Sequence, residues 1–216
     1  HGASFKSPLR TVAPKPLPKP HPPLWVACSQ LETSEMAGRR GIGALGFQSV
    51  SAEAANAWVN AYYNSYTKRL EKLAEYQANP AIAVVSGFMC AETDEKARKM
   101  AEGWTFFQFS LMFYNTHGPV APGTVNIWDE YVAWRDTDKG KVAASNMTGL
   151  IGSPATIRER LRNFEESNVD QVIMLNQAGK NSHEVICSNL ELFEKEVMPE
   201  FPECAPRHQE WKRAGP

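Results

Sequence analysis

Short apolar segments alternate with longer amphipathic ones four times along this chain, and this order constrains the fold more than any other feature. The apolar segments are 24–28, 42–47, 81–89 and 170–176. The first of them is continuous rather than alternating in hydrophobicity, as expected for a parallel strand that is covered on both faces. Strands that alternate with helices build a parallel sheet with right-handed crossovers. Because a closed barrel needs eight such strands, we expect an α/β fold that is either an open four-stranded sheet or half of a barrel.

Helix signals lie between the apolar segments. Ser29, with Glu32 three residues later, forms a capping-box pattern that predicts a helix to about residue 40, ended by Gly41. Further helices are predicted from Ser51 to about Tyr76, from Thr93 into the aromatic run 104–109, from 129 to 134, from Ser153 onward, and from about Ser182 to Val197. An irregular insertion, residues 116–148, precedes the last strand–helix repeat.

The chain divides into a proline-rich lead-in (1–23), a folded body (24–201) and a polar C-terminal tail (202–216). The prolines of the lead-in favour extended geometry and exclude a helix or a central strand. Because a strand follows directly, we expect the lead-in to be a rigid strap over the body. The alternative is a recognition peptide for domains with aromatic grooves.

Charge and hydropathy exclude several functions. The net charge is −1, whereas nucleic-acid-binding proteins carry a clustered basic surface. No apolar run approaches the roughly 20 residues that span a bilayer, and no secretory signal is present. We therefore expect a cytoplasmic protein that binds neither nucleic acid nor membrane. The first residue is His1 rather than Met, which suggests a piece of a longer chain.

The cysteines are Cys28, Cys90, Cys187 and Cys204, with no C-x-x-C pair among them. In a chain of this length they are interpreted as reduced and mostly buried thiols, with a disulfide as the alternative. None of the histidines pairs with a cysteine or carboxylate at metal-ligand spacing, and so no metal site is expected.

Segments at both ends of the body resemble the bacterial luciferase-like family of flavin-dependent monooxygenases. Those similar to the family's fifth barrel strand and the helix after it are 14–16, 20–27 and 29–35, and those similar to its last helix–strand pair and its ending are 151–157, 169–173 and 190–199. The resemblance covers residues from about 5 to 212 and implies the C-terminal half of a (β/α)8 barrel of the TIM type, with about four strand–helix repeats.

By this resemblance, the protein uses reduced FMN, or alternatively coenzyme F420, to insert one oxygen atom from O2 into a small hydrophobic organic substrate. A flavin reductase and a homodimer are the implied partners. The family carries its catalytic histidine and its phosphate-binding arginine in the first half of the barrel, so the catalytic residues of this chain are unknown. The alternative is a non-catalytic flavin-binding half-barrel, or one that associates with itself and is inactive without an N-terminal half.

The start of the Ser29 helix is the first candidate site. Unpaired amides and a partial positive charge make a helix N-terminus suited to phosphate. The resemblance implies that Ser29, Gln30 and Thr33 hold the flavin phosphate, through backbone N–H groups and the threonine hydroxyl, with only the backbone of Gln30 involved. The alternative is that Ser29 and Glu32 merely cap the helix.

Other candidates follow the second and last strands. Gly41, Gly43 and Gly46 let a cofactor approach the second strand, or they serve tight packing; of these, Gly46 is assigned to the cofactor. Asn176 and Gln177 end the last strand, where barrel enzymes place their active sites, so they line the pocket or bond to their own loop. The aromatic run 104–113 either walls a substrate pocket or forms a subunit interface, which we favour.

Overall fold

The structure is a computed structural model, and it describes residues 8, 11, 13–15, 17, 21–46, 52–68, 76–146, 149–201 and 210. The strands among these residues are β1 (Trp25–Cys28), β2 (Gly43–Gly46), β3 (Ile82–Cys90), β4 (Leu150–Gly152) and β5 (Gln171–Leu175). The helices are α1 (Leu31–Arg40), α2 (Ala52–Thr67), α3 (Asp94–Met100), α4 (Glu102–His117), α5 (Ile127–Arg135), α6 (Asp138–Asn146), α7 (Pro154–Glu166) and α8 (His183–Glu196), followed by a 3-10 turn, Met198–Glu200.

All strand pairs are parallel, which confirms the predicted α/β architecture. Strand β1 pairs with β2, and β2 pairs with β3. Ala83 and Val84 of β3 pair with both β2 and β5, so these two strands lie on opposite sides of β3. Within the described part of the chain, β1 and β5 are therefore the outer strands of the row β1-β2-β3-β5.

The sheet has five strands, so the prediction of four was wrong by one. The additional strand, β4, is three residues long and pairs with the last three residues of β3, Phe88 to Cys90. Three residues are too few to produce a recognisable apolar segment. Only the length of β3, nine residues, provides the partner that makes β4 a strand.

The two faces of the sheet have different environments. Val84, Phe88 and Cys90 pack in one cluster with side chains of α7 and α8, namely Ile157, Phe164 and Phe193. Because side chains alternate along a strand, Val85, Gly87 and Met89 point to the opposite face. The helix-covered face corresponds to the outside of a barrel, and the opposite face corresponds to its interior.

Several predicted boundaries need correction. Helix α1 begins at Leu31 and its N-cap is Gln30, not Ser29. Helix α2 ends at Thr67 rather than near Tyr76, and its predicted cap Ser51 lies outside the described residues. Thr93 caps α3 as predicted, by accepting the Lys96 N–H at 3.2 Å. The aromatic run does not continue α3. Helix α3 ends at Met100, and a separate helix, α4, begins at Glu102.

Two tyrosines of α2 form hydrogen bonds with residues at the amino ends of the strands. The Tyr62 hydroxyl donates to Ile42 O and accepts from Ala81 N, at 2.9 and 3.2 Å. The Tyr63 hydroxyl donates to Asp170 Oδ2 at 2.7 Å. Burial raises the pKa of both phenols, and the charge of Asp170 raises that of Tyr63 further. Both therefore remain neutral donors, and this end of the sheet has a stabilising role.

The outer segments are described only in part. Residues 8, 11, 13–15 and 17 are exposed, and His21 Nε2 accepts the Gln77 N–H at 3.3 Å. Of the tail, residue 210 alone is described, so the three-part division of the chain stays a prediction.

Cys28, Cys90 and Cys187 are free thiols, and Cys204 lies outside the described residues. No described helix combines the length and apolar composition that a membrane span requires.

Candidate functional site

Because the strands are parallel, their carboxyl ends lie at one edge of the sheet. Cys28, the last residue of β1, pairs with Gly46, the last residue of β2. Ser29 and Gln30 follow Cys28 directly, so the structure brings them close to Gly46. Asn176 and Gln177 follow β5 at the same edge, three strands away from β1, or about 14 Å at the usual strand spacing.

The start of α1 differs from the starts of α3, α7 and α8, the other helices after strands whose caps are among the described residues. Thr93, Ser153 and Ser182 each accept a hydrogen bond from the first turn of their own helix. The N-cap of α1 is Gln30, whose side chain makes no such bond. Ser29 and Gln30 are exposed and Thr33 is half-buried. In the first turn of α1, the Thr33 N–H donates to Gln30 O at 3.1 Å, and the amides of Leu31 and Glu32, with the nearby Thr33 hydroxyl, are the groups that suit a phosphate.

Glu32 is the one acidic residue of that first turn, and it is exposed. Its charge stabilises the helix through the dipole. The same charge repels a phosphate at the same place, and so it weakens rather than strengthens anion binding there.

The structure separates the roles of the three glycines. Gly41 ends α1 with φ 70°, a conformation that favours glycine. A Cβ on Gly43 would lie 2.5 Å from the Trp25 ring, so that glycine serves packing. A Cβ on Gly46 would meet its nearest atom, Ala83 O, at 3.4 Å, which is an ordinary contact. Backbone conformation thus explains Gly41 and close packing explains Gly43, whereas neither requires a glycine at position 46.

Asn176 and Gln177 lie between two residues that are fixed by packing. Leu175 and Ala178 both contact the cluster that contains Met89, Ile151 and Trp104. The loop after them approaches α4 so closely that a Cβ on Gly103 would lie 2.0 Å from Ala178 O. Asn176 is half-buried and Gln177 is exposed, and both follow the carboxyl end of β5.

Trp104, the first residue of the aromatic run that the sequence interpretation assigned to a pocket wall or an interface, also lies at this edge. A Cβ on Gly87 would lie 2.4 Å from Cε2 of Trp104, so the indole rests directly on β3. Gly87 pairs with Leu175, the last residue of β5, which places the indole at the carboxyl end of the sheet. A glycine within an otherwise apolar strand was the signal that something approaches the backbone closely.

The aromatic run is divided between two environments. Trp104 and Phe107 join the cluster at the sheet. Phe109 and Phe113 pack instead against Tyr131 of α5, in a cluster that also contacts Phe106 and Trp134. Burial raises the pKa of Tyr131 to about 12, and it stays neutral there. Leu111, Met112 and Tyr114 remain exposed on α4, and the predicted subunit interface stays a prediction.

The other titratable groups at this edge have structural roles. Asp94 Oδ1 accepts the Ser153 N–H at 2.7 Å and the Thr156 hydroxyl at 2.8 Å, and these hydrogen bonds lower the pKa of the carboxyl. Burial raises the pKa of the Cys28 thiol, and it raises that of Cys90 to about 11. Both thiols are therefore protonated at neutral pH and are not nucleophiles.

One contact corrects the sequence interpretation of the histidines. His183 and Cys187 are one turn apart on α8, and Nε2 lies 3.5 Å from Sγ. Two ligands do not make a metal site, and the described residues contain no group of three or more His, Cys, Asp or Glu side chains that could hold one.

Comparison with known proteins identifies the architecture. A family profile described as luciferase-like monooxygenase matches residues 1–171. The oxygenase component of the flavin-dependent trigonelline monooxygenase from Acinetobacter baylyi is 26% identical over 209 residues, which are 94% of this chain and 55% of that protein. The chain thus spans about half the length of the curated relative that it matches.

Two solved structures share the fold. The oxygenating constituent of 3,6-diketocamphane monooxygenase from Pseudomonas putida, in complex with FMN, has a TM-score of 0.57 and 19% identity, over 85% of this chain and 50% of that one. The coenzyme F420 dependent tetrahydromethanopterin reductase from Methanopyrus kandleri has a TM-score of 0.53 and 17% identity, over 83% of this chain and 51% of that one. At these identities the likeness shows the fold, which is half of a TIM-type barrel.

Proposed function

The chain belongs to the luciferase-like monooxygenase family, and from that premise we propose that it is the C-terminal part of an enzyme that inserts one oxygen atom from O2 into a small organic substrate with reduced FMN. The single observation that carries the proposal is the open first turn of α1, at the carboxyl end of β1 and beside Gly46. Active sites of such barrels lie at this edge.

The described residues fit the phosphate end of a flavin. The first-turn amides of α1 would bind the phosphate together with the Thr33 hydroxyl, and Ser29 and Gln30 would contribute their backbone N–H groups. Gly46 would let the cofactor approach the carboxyl end of β2. Asn176 and Gln177 would bind polar groups of the ligand at the carboxyl end of β5. When bound, the flavin supplies the redox chemistry.

The partners follow from the two-component relative. That relative is described as an oxygenase component, and a separate flavin reductase would supply reduced flavin to this protein in the same way. A homodimer is part of the proposal, with the exposed face of α4 as the candidate contact. FMN is proposed over coenzyme F420, because the curated relative is described as flavin-dependent.

A second candidate function follows from the outer strands. Ala27 of β1 and Ile173 of β5 are exposed on the inner face, as expected where a barrel is half complete. A half-barrel that closes by self-association, without catalysis, would cover the same residues. Flavin binding at the phosphate site separates the two candidates.

The test measures quenching of FMN fluorescence by this chain, with riboflavin as the ligand that lacks the phosphate. We expect tighter binding of FMN than of riboflavin, and inorganic phosphate should compete. The Thr33→Val variant should bind FMN about fivefold more weakly, because it loses one hydrogen bond. The matched control, Tyr63→Phe, removes a hydroxyl at the opposite end of the strands and should bind normally. Equal binding of FMN and riboflavin would contradict the proposed site.

A further inference from the structure

We propose that the cavity between α3, α4 and α5 binds a small molecule that carries a doubly charged oxyanion group of the phosphate type. This site is separate from the proposed flavin site, contains no residue of α1, and does not depend on the proposed function. Its volume is about 340 Å³, within the range of roughly 300–1,000 Å³ that small-molecule sites have. It is lined by Arg98, Lys99, Glu102, Thr105, Tyr131 and Arg135.

The charges around the cavity favour an anion. Three cations and one carboxylate line it, so the lining has an excess of two positive charges. Arg98 and Lys99 are exposed in the last turn of α3, and neither forms an ion pair within the described part of the chain. Asp94 attracts Arg98, but its oxygens accept hydrogen bonds from Ser153 and Thr156. The two cations of α3 therefore remain available to a ligand.

Arg135 is held in place by two carboxylates. Its Nη1 donates to Glu102 Oε1 at 2.5 Å, and its Nε donates to Asp136 Oδ1 at 3.0 Å. The first of these contacts neutralises the carboxylate that lines the cavity. Among the described residues, Nη2 has no partner. A guanidinium that is already fixed loses little freedom when it binds an oxyanion.

Two hydroxyl groups at the cavity have no hydrogen-bond partner in the part of the chain that the structure describes. Ser110 and Thr116 of α4 donate to the carbonyl four residues earlier, at 2.8 and 2.9 Å. Thr105, on the same helix, makes no such bond. The Tyr131 hydroxyl makes none either, although that residue is only 1% exposed. The helix dipole explains cations at the end of α3, but it does not explain unpaired hydroxyls beside them, which cost free energy unless a ligand binds them.

Tyr131 presents its hydroxyl rather than its ring to the cavity. The ring packs among Phe106, Phe109 and Trp128, and the hydroxyl oxygen is not completely enclosed. Burial, and then the charge of Glu102, raise the pKa of the phenol to about 12. The hydroxyl is therefore a neutral donor at physiological pH, and a neutral donor binds an anion that a phenolate would repel.

A doubly charged oxyanion matches these groups in charge and in number of acceptors. Its two negative charges balance the excess of positive charge. A phosphate group offers three acceptor oxygens or more, enough for the Arg135 guanidinium, the Lys99 ammonium and the two hydroxyls. A monocarboxylate offers two oxygens and one charge, so it would leave some of these donors without a partner.

The test is a titration of the isotope-labelled chain with inorganic phosphate or acetate, at about pH 8 and constant ionic strength, followed by the amide NMR shift of Tyr131. We expect a saturable shift with phosphate, and binding about fivefold weaker with acetate, which lacks the second charge. Thr105→Val should weaken phosphate binding about tenfold, because a hydrogen bond to a charged group is lost. The matched control is Thr116→Val, whose hydroxyl bonds within α4, and it should bind phosphate normally.

Two further pairs of variants separate this site from the general charge of the chain. Lys99→Gln should weaken phosphate binding about fivefold. Lys96→Gln removes the same charge from the same helix, at a residue that pairs with Glu92 and does not line the cavity, and should bind normally. Tyr131→Phe keeps the packed ring and should weaken binding about tenfold, whereas Tyr114→Phe, at an exposed tyrosine of α4, should have no effect.

The proposal is overturned if phosphate causes no saturable shift, if acetate binds as tightly, or if the control variants weaken binding as much as Thr105→Val and Lys99→Gln do. It is also overturned if Thr33→Val removes the shift, because the anion would then bind at α1 alone. The proposed function is tested by FMN binding and not by these shifts, so the failure of either leaves the other standing.

Discussion

Helices α1 and α7 both begin directly after a strand, and single residues decide what their first turns bind. In α7 the amides are satisfied within the protein, by the Ser153 side chain and by Asp94 from α3. In α1 the cap is Gln30, whose side chain accepts no bond from the helix. An internal carboxylate thus binds at the N-terminus of α7, whereas the N-cap side chain of α1 binds none of its amides.

Replacing Asp94 by Asn tests the internal site through its pH dependence. Because hydrogen bonds lower the pKa of Asp94 in the folded chain, the carboxylate stabilises the fold above its unfolded pKa and loses this effect as the pH falls through the folded value. We expect Asp94→Asn to lower the free energy of unfolding by about 1 kcal/mol at pH 7.

Urea unfolding at several pH values checks this, and the difference from wild type should shrink below about pH 4. An equal difference at pH 7 and pH 3 would contradict the role given to the charge.

Replacing Gly46 by Ala tests whether this glycine serves a ligand rather than the fold. An added Cβ would make only ordinary contacts, so the folded state should tolerate it, with stability unchanged or raised by about 0.4–1 kcal/mol. FMN binding should weaken if the cofactor approaches this position. Thermal unfolding and FMN titration are the two measurements, and a destabilised variant would show instead that packing requires the glycine.

At the scale of elements, α4 packs against the carboxyl edge of the sheet and fixes the positions of the residues there. Ala101 separates α3, which ends at Met100, from α4, which begins at Glu102. Two glycines then allow close approach, Gly87 beneath Trp104 and Gly103 against the loop after β5. Helix α5 covers the opposite side of α4. Helix α4 is therefore packed at the carboxyl edge of the sheet and is not a peripheral addition.

A methyl group at Gly87 should displace α4. The new Cβ would lie 2.4 Å from the indole, and we expect Gly87→Ala to cost about 1–3 kcal/mol, as overpacking does. Combining it with Trp104→Leu should cost less than the sum of the two changes, because the smaller side chain relieves the collision. Denaturant unfolding of the single and double variants measures this coupling, and strictly additive costs would place the indole elsewhere.

At the scale of the whole molecule, the sheet ends in outer strands that a closed barrel would pair. The row β1-β2-β3-β5 matches half of an eight-stranded barrel. Ile173 of β5 is 37% exposed on the inner face. Unpaired strand edges favour association with another chain, and an isolated half-barrel has two of them.

We therefore expect this chain, studied by itself, to form a dimer whose population rises with concentration. The Ile173→Lys variant should shift the equilibrium to monomer, because it places a charge on the covered face. Val142→Lys on α6, where the side chain is 60% exposed, is the control and should leave the dimer intact. Sedimentation equilibrium distinguishes these outcomes, and a monomeric wild type at all concentrations would refute the expectation.

The sequence by itself determined the alternation of four of the strands with helices, their parallel arrangement and the family. Each of these depends on local patterns: continuous apolar segments, caps such as Thr93 and Ser153, and motifs near the two ends. It also placed Ser29, Gln30, Asn176 and Gln177 at strand carboxyl ends, since position along a strand is a local property. The roles given to these residues stay predictions.

Tertiary structure alone decided the rest. Strand β4 exists because a long β3 offers it a partner, and a three-residue segment carries no pattern of its own. The glycines at 43, 46 and 87 look alike in the sequence, and only their neighbours show that a Cβ would collide at 43 and 87 but would make ordinary contacts at 46. The position of Trp104 on Gly87 has the same cause. Contacts between residues distant in the chain depend on how helices pack, and local composition does not specify that packing.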